Sequence, residues 1–387
     1  MPIYMLEKPQ QKYKGLHMRM NKKINYSNIA NKQLELIQNK LFNSSGQLMY
    51  KPNKTVASLW DYSAYFTAIV KMYQLDQDRY ESIMKQTIDD LEWYLVKDRQ
   101  DGHLVYASEN GQEKPVFYDD NDWLAIGFIG IYKTNKKTIY LDKAKRILSF
   151  IFEGWQTKDG GGLLWKEFPS DFKPHEIVRN TCINAPAAYA SSMIYQLTND
   201  KTYLDWAVKI YDWTKKILKD TNSGLYFDNI SQNNIIEETY WTYNVGVMIA
   251  AGSVLYDITK DKAYADDVLY SIQSAYEKLT VNHEDKQINY KYYDDHPWFR
   301  VYLFQGLLES YKYLEVKKTI TKYFDDITLG FDYVYKTYQN KEDFIIDKWS
   351  LIPSKTNEVE SLFASGNLES IAIFECYNRL KNKGEHN

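Results

Sequence analysis

The sequence predicts an all-α fold, a six-fold (α/α)6 barrel in which a ring of outer helices encloses a ring of inner ones. Three observations lead there. Helical segments ending in an aromatic residue and a short polar turn recur six times, at a spacing of about 55 to 65 residues. Those six are apolar or small nearly all round, whereas the segments between them show a one-sided 3.6-residue period with charged outer positions. The connections alternate between short and long.

In chain order, the first inner helix is expected over residues 60–74, opening on Trp60, and an outer helix over 79–96 follows it. The second pair falls at 123–134 and 140–155, the third at 184–198 and 203–218, the fourth at 243–259 and 262–279. In the fourth inner segment Val245, Val247, Met248, Ile249, Ala250 and Ala251 leave no polar stripe, as a helix buried on most faces requires. Inner helices five and six are expected over 298–314 and 365–380. Inner-to-outer turns are tight and polar, at 76–78, 135–137, 199–201 and 260–261. The returns at 97–118, 156–183, 219–242, 281–297 and 340–364 are long, so a closed ring collects them on the face where inner helices begin. Long loops in a compact domain are usually functional. An open α-solenoid, by contrast, would keep similar loops on both faces.

One domain over residues 25–387 accommodates all six copies, with residues 1–24 as a flexible N-terminal segment. Hydrophobic residues at 44% suffice for a large core, and 35 Tyr, 16 Phe and 10 Trp leave aromatic faces free to stack on sugar rings or bases. A net charge of -3 with both signs interspersed gives no basic footprint, which argues against nucleic acid as a partner. Cys182 and Cys376 lie in apolar runs and read as buried, reduced thiols. The six histidines show no metal-ligand spacing, so neither a metal nor another cofactor is expected. The first two dozen residues hold six Lys and Arg but no signal-peptide stretch, and no run of about 18 apolar residues occurs. A soluble, cytoplasmic monomer without a membrane partner is the expectation, or a secreted one if a signal has been removed.

Five adjacent Asp pairs compete for a chemical role: 89–90, 119–120, 266–267, 294–295 and 325–326. The pairs at 89, 266 and 325 lie on polar stripes of outer helices. Asp294-Asp295 and Asp119-Asp120 each end a long loop just before an inner helix. The former precedes His296-Pro297, a turn and helix start, so capping explains it. The run Tyr118-Asp119-Asp120-Asn121-Asp122-Trp123 carries more polar groups than capping needs. Neighbouring Cα atoms stand about 3.8 Å apart, which suits the roughly 5 Å carboxyl separation of retaining glycosidases, and mutual repulsion would raise one pKa.

At this motif the sequence resembles glycoside hydrolase family 76, the endo-α-1,6-mannanases, whose mark is an Asp-Asp pair opening an inner helix of an (α/α)6 barrel. The likeness extends to Gly160-Gly161-Gly162-Leu163-Leu164-Trp165, Arg179-Asn180-Thr181, the segment 194–213, Gly224-Leu225-Tyr226-Phe227-Asp228 and Thr242-Tyr243-Asn244-Val245-Gly246. The resemblance implies a glycosidase acting on an α-mannoside oligo- or polysaccharide, with Asp119 as nucleophile and Asp120 as acid/base. It further implies that Arg179, Asn180, Asp228, Tyr243 and Asn244 line the sugar site. Trp60, Tyr118, Trp165 and Trp298 are the stacking candidates. Two departures stand out: the absence of an export signal, and Val245 where a polar residue often follows the Tyr-Asn pair. Unsaturated uronyl hydrolases share the barrel but need a positive pocket, whereas these loops are rich in Asp and Glu. Sugar epimerases of this fold need paired histidines, and only His175, His283 and His296 fall on the loop face. A non-catalytic glycan-binding module is the remaining alternative.

Overall fold

Segments that are apolar on every side are stable only where every side is covered, and closing the ring covers them. The computed structural model describes residues 24–384 except 98, 110–114, 158–159, 168–172, 285–287, 339–343, 346–348 and 350–358. The expected flexible segment 1–24, apart from Ile24, and most of the connection 340–364 lie outside the described residues. The inner ring consists of α2 (Leu59–Leu75), α4 (Tyr118–Asn135), α6 (Thr181–Thr198), α8 (Thr242–Thr259), α10 (Pro297–Tyr313) and α12 (Ser361–Gly384). Each packs on the next, and α12 packs back on α2, so the ring is closed. The outer ring consists of α3 (Gln77–Asp90), α5 (Thr138–Glu153), α7 (Lys201–Leu218), α9 (Lys262–Lys278) and α11 (Lys317–Tyr338), completed by α1 (Tyr26–Lys40), which covers α12. No helix among the described residues is long and apolar enough to cross a membrane.

The short turns repeat one piece of chemistry. Lys136, Asn199 and Lys260 end α4, α6 and α8 in the left-handed region, each returning its N–H to the helix. Asp76, Asp200 and Asp261 then cap α3, α7 and α9 through their side chains. Inner helices meet closely where glycine permits it. A Cβ on Gly246 of α8 would collide with the Leu303 backbone of α10, and one on Gly306 with the Gly246 carbonyl.

The long returns hold short strands that the helical reading did not anticipate. β1 (Val178–Asn180), β2 (Phe227–Ser231) and β3 (Ile236–Tyr240) form an antiparallel sheet in that order, and β4 (Thr280–Glu284) pairs with β5 (Asn289–Tyr293). Three to five residues carry too little alternation to register as strands, and Val178 pairs with Ser231 across most of a helical hairpin.

Candidate active site

All six inner helices open on the loop-bearing face, so their first-turn side chains converge on the barrel mouth. An open cleft of ≈ 490 Å³ lies there. Trp60 enters it from α2, Asp119 and Asp120 from α4, Cys182 from α6, Tyr243 from α8 and Phe299 from α10. Phe117, Trp165, Asn180, Asp228 and Trp241 complete it from the loops and the three-stranded sheet.

The carboxylates are placed by asparagines rather than by caps. Phe117, at the N-cap of α4, offers no side-chain hydrogen bond. Instead Asn121 grips the preceding loop: Nδ2 donates to Tyr106 O at 2.9 Å and Phe117 O at 2.8 Å, and Oδ1 accepts from Tyr106 N at 2.9 Å. Asn184 does the same at the start of α6, accepting from Leu163 N at 2.9 Å and donating to Asn180 O at 2.8 Å. That grip matters for the next loop. Gly161 and Gly162 adopt φ of 97° and 89° against the Trp213 ring, where a Cβ would clash, and the chain then runs through Leu163 to Trp165.

Trp165 Nε1 donates to Asp119 Oδ2 at 3.0 Å, and Cys182 Sγ donates to the same oxygen at 3.4 Å. Asp119 Oδ1 has no hydrogen-bond partner among the described residues. Burial pushes Asp119 up to about 6, while these two donors and the first-turn backbone N–H groups hold it down. Asp120 is buried, has no such donors, and is driven well above the carboxylate range by burial and by the Asp119 charge. Near neutral pH the pair therefore holds one ionised and one protonated carboxyl. Asp122 is also fully buried, without a hydrogen-bond partner for either oxygen among the described residues, and burial, with the Asp119 charge, drives it well above the carboxylate range. Two aromatic walls flank the pair. Phe299 packs on Tyr243 at 4.3 Å and stacks on Trp60 at 6.3 Å, and Phe117 packs on Trp165 at 4.9 Å. Trp60 is 41% exposed.

Of the residues named from the sequence, Asp119, Asp120, Asn180, Asp228, Tyr243, Trp60 and Trp165 meet in this cleft. Asn244 is buried behind it and donates to Asp228 Oδ1 at 3.2 Å. Tyr118, the first residue of α4, does not line the cleft but stacks on Phe150 of the outer helix α5 at 4.8 Å. Arg179 is likewise structural: buried, it donates to Gly161 O at 2.9 Å and lies over the Trp213 ring. Trp298 is a fully buried core residue, packed edge-on against Trp60 and Trp123. Asp295 does cap a helix, but the neighbouring one, accepting from Thr242 N and Oγ1 at 3.0 and 2.8 Å, while His296 caps α10. Cys376 is only half-buried. Cys182, Phe117, Trp241 and Phe299 were not singled out as site residues. Cys182 follows the quoted Arg-Asn-Thr segment directly, and that adjacency is the one sequence signal it offers.

Three kinds of comparison bear on this geometry. Mannan endo-1,6-alpha-mannosidase DCW1 of Saccharomyces cerevisiae is 32% identical over 106 residues, 26% of this chain and 23% of the yeast protein. Its Candida glabrata counterpart is 30% identical over 105 residues, again 26% and 23%. The chain thus spans under a quarter of the length of these curated relatives. A family 76 glycoside hydrolase (mannosidase) from Bacteroides thetaiotaomicron VPI-5482 superimposes with a TM-score of 0.81 at 23% identity, covering 91% of this chain and 99% of that one. An α-1,6-mannanase of Salegentibacter sp. HEL1_6 gives 0.73 at 21% identity, with 91% and 99% covered. That structure is of an inactive variant with two adjacent aspartates changed to asparagine, in complex with α-1,6-mannotriose. The family model described as glycosyl hydrolase family 76 matches residues 25–345, and the chain belongs to that family.

Proposed function

We propose that the protein hydrolyses α-1,6-mannosidic linkages with retention, Asp119 acting as nucleophile and Asp120 as general acid and then general base. The observation that carries this reading is the asymmetry of the pair. Asp119 has one oxygen held by Trp165 and Cys182, whereas Asp120 has no such donors among the described residues and is driven well above the carboxylate range. The Asp119 carboxylate attacks the anomeric carbon while Asp120 protonates the departing glycosidic oxygen. Asp120, now ionised, takes a proton from the water that releases the sugar from Asp119. Trp60, Phe299 and Trp165 supply faces for sugar rings.

Among the described residues the cleft lining includes three carboxyl residues and no Lys or Arg. Such a surface favours a neutral sugar and repels the anionic substrate of an unsaturated uronyl hydrolase. The mannan-cleaving relatives, and the α-1,6-mannotriose held by a neighbour altered at two adjacent aspartates, support the same substrate class.

The test is a product assay on α-1,6-, α-1,2- and α-1,3-linked manno-oligosaccharides and an unsaturated uronide, with proton NMR of the first-formed sugar. Cleavage of the α-1,6 series with initial release of the α anomer is expected. Initial β anomer would mean inversion and a second carboxylate on another loop. Binding without product release would make the protein a glycan-binding module.

A further inference from the structure

An ammonium group in a pocket among helices draws a counter-charge, because partial desolvation penalises it when unpaired. At the end of the barrel where inner helices finish, a second cavity of ≈ 90 Å³ lies among the ring helices, several times the roughly 10–15 Å³ that one water requires. Three lysines line it from three helices: Lys71 near the end of α2, Lys133 in the last turn of α4, and Lys312 in the last turn of α10. Two carboxyl residues, Glu309 and Glu369, line it as well.

The carboxylates are already engaged. Glu309 Oε1 accepts from Gln305 Nε2 at 2.6 Å, Lys312 Nζ at 2.9 Å and Tyr189 OH at 3.0 Å. Burial works against its charge, yet Lys312 and Lys133 hold it at about 2. Glu369 accepts from Thr67 Oγ1 at 2.7 Å, and burial pushes it up to about 7. Lys71 donates to Gln305 Oε1 at 2.9 Å, a neutral acceptor. Lys133 makes no hydrogen bond or ion pair among the described residues. Three lysines thus face two carboxyl residues, and burial, unrelieved by a hydrogen-bonded partner among the described residues, lowers Lys133 to about 8. The negative ends of the inner helices favour lysines here, but they supply no hydrogen-bond partner to Lys133.

We propose that this basal cavity binds one small tetrahedral oxyanion of the phosphate or sulfate class, held by Lys133 with Lys71 and Lys312 beside it. The site is separate from the catalytic cleft, which lies at the opposite ends of the same helices, and it does not depend on the activity proposed above. An anion there ties α2, α4 and α10 together and stabilises the native state by mass action.

The experiment titrates the full chain with inorganic phosphate, and separately with sulfate, by calorimetry at constant ionic strength, chloride serving as comparator. Saturable one-to-one binding is expected, weakened at least ten-fold by Lys133→Gln and unchanged by Asp119→Asn. Binding equal in wild type and Lys133→Gln, or a response no different from chloride, would overturn the proposal. Should Lys133→Gln fail to fold, crystals of the wild type soaked in selenate decide the matter. An anomalous peak beside Lys133 supports the site, and its absence rejects it.

Discussion

At the scale of the residue, the asymmetry of the pair rests on the donors that Asp119 has and Asp120 lacks. Asp119→Asn and Asp120→Asn should each lower kcat by about a thousand-fold or more with the fold intact, because each removes a separate essential role. Asp294→Asn, at an exposed position, should stay near wild type in the same assay. The pH profile of kcat/KM should be bell-shaped. Its acid limb should rise near about 6 as Asp119 ionises, and activity should fall at higher pH as Asp120 loses its proton. Donors to a charged carboxylate favour the charged form. Cys182→Ala should therefore move the acid limb upward and lower kcat, whereas Cys182→Ser, which restores a donor, should recover the wild-type profile. An unmoved limb in Cys182→Ala would reduce the thiol to a filler. Stability carries the opposite sign. Both folded pKa values are raised, so the stability linked to these groups is full below the unfolded carboxylate value near 4 and is lost as pH rises through about 6. Asp120→Asn, neutral at every pH, should raise Tm at pH 7 by roughly 1–3 °C and flatten its decline between pH 4 and 7.

At the scale of the element, the loops are held by the helices they feed. Asn121 satisfies both backbone groups of Tyr106, and Asn184 both of Leu163. Asn121→Ala would strand buried backbone polar groups and should cost about 2–3 kcal/mol, read as a lower urea midpoint. Gly162→Ala has a different signature. The left-handed backbone and the Trp213 ring both resist a Cβ, so the loop must shift and carry Trp165 away from Asp119. Activity should fall by more than ten-fold, with the acid limb displaced in the same direction as in Trp165→Phe. A Gly162→Ala enzyme with wild-type kcat and pH profile would show that the loop does not position Trp165.

At the scale of the whole molecule, closure of the ring is the central fact. The sixth inner helix has its outer partner at the other end of the chain, where Tyr26 of α1 packs against Phe374 of α12 at 5.7 Å and its hydroxyl bonds Asp332 of α11 at 2.7 Å. Deleting residues 1–40 should uncover the apolar face of α12 and lower Tm by several degrees. Scanning calorimetry of that truncation against the full chain checks the outcome.

The sequence by itself determined the barrel, its six copies, the loop-bearing face and the place of the aspartate pair at the start of α4, because burial on all sides and unequal loop lengths are written in residue order. It equally marked the inner-to-outer turns, whose residues act locally. Only the tertiary structure decided which aromatic faces are free. Trp60 and Trp298 both open inner helices, yet one is exposed in the cleft and the other buried in the core, since packing against neighbouring helices fixes the direction of each. The same holds for Tyr118 and Arg179, adjacent to site residues but directed into packing. Asp295 serves a helix other than its own, and Cys182 meets Asp119 from 63 positions away. Those contacts join segments distant in the chain, and nothing in a local pattern encodes a partner that only ring closure brings into reach.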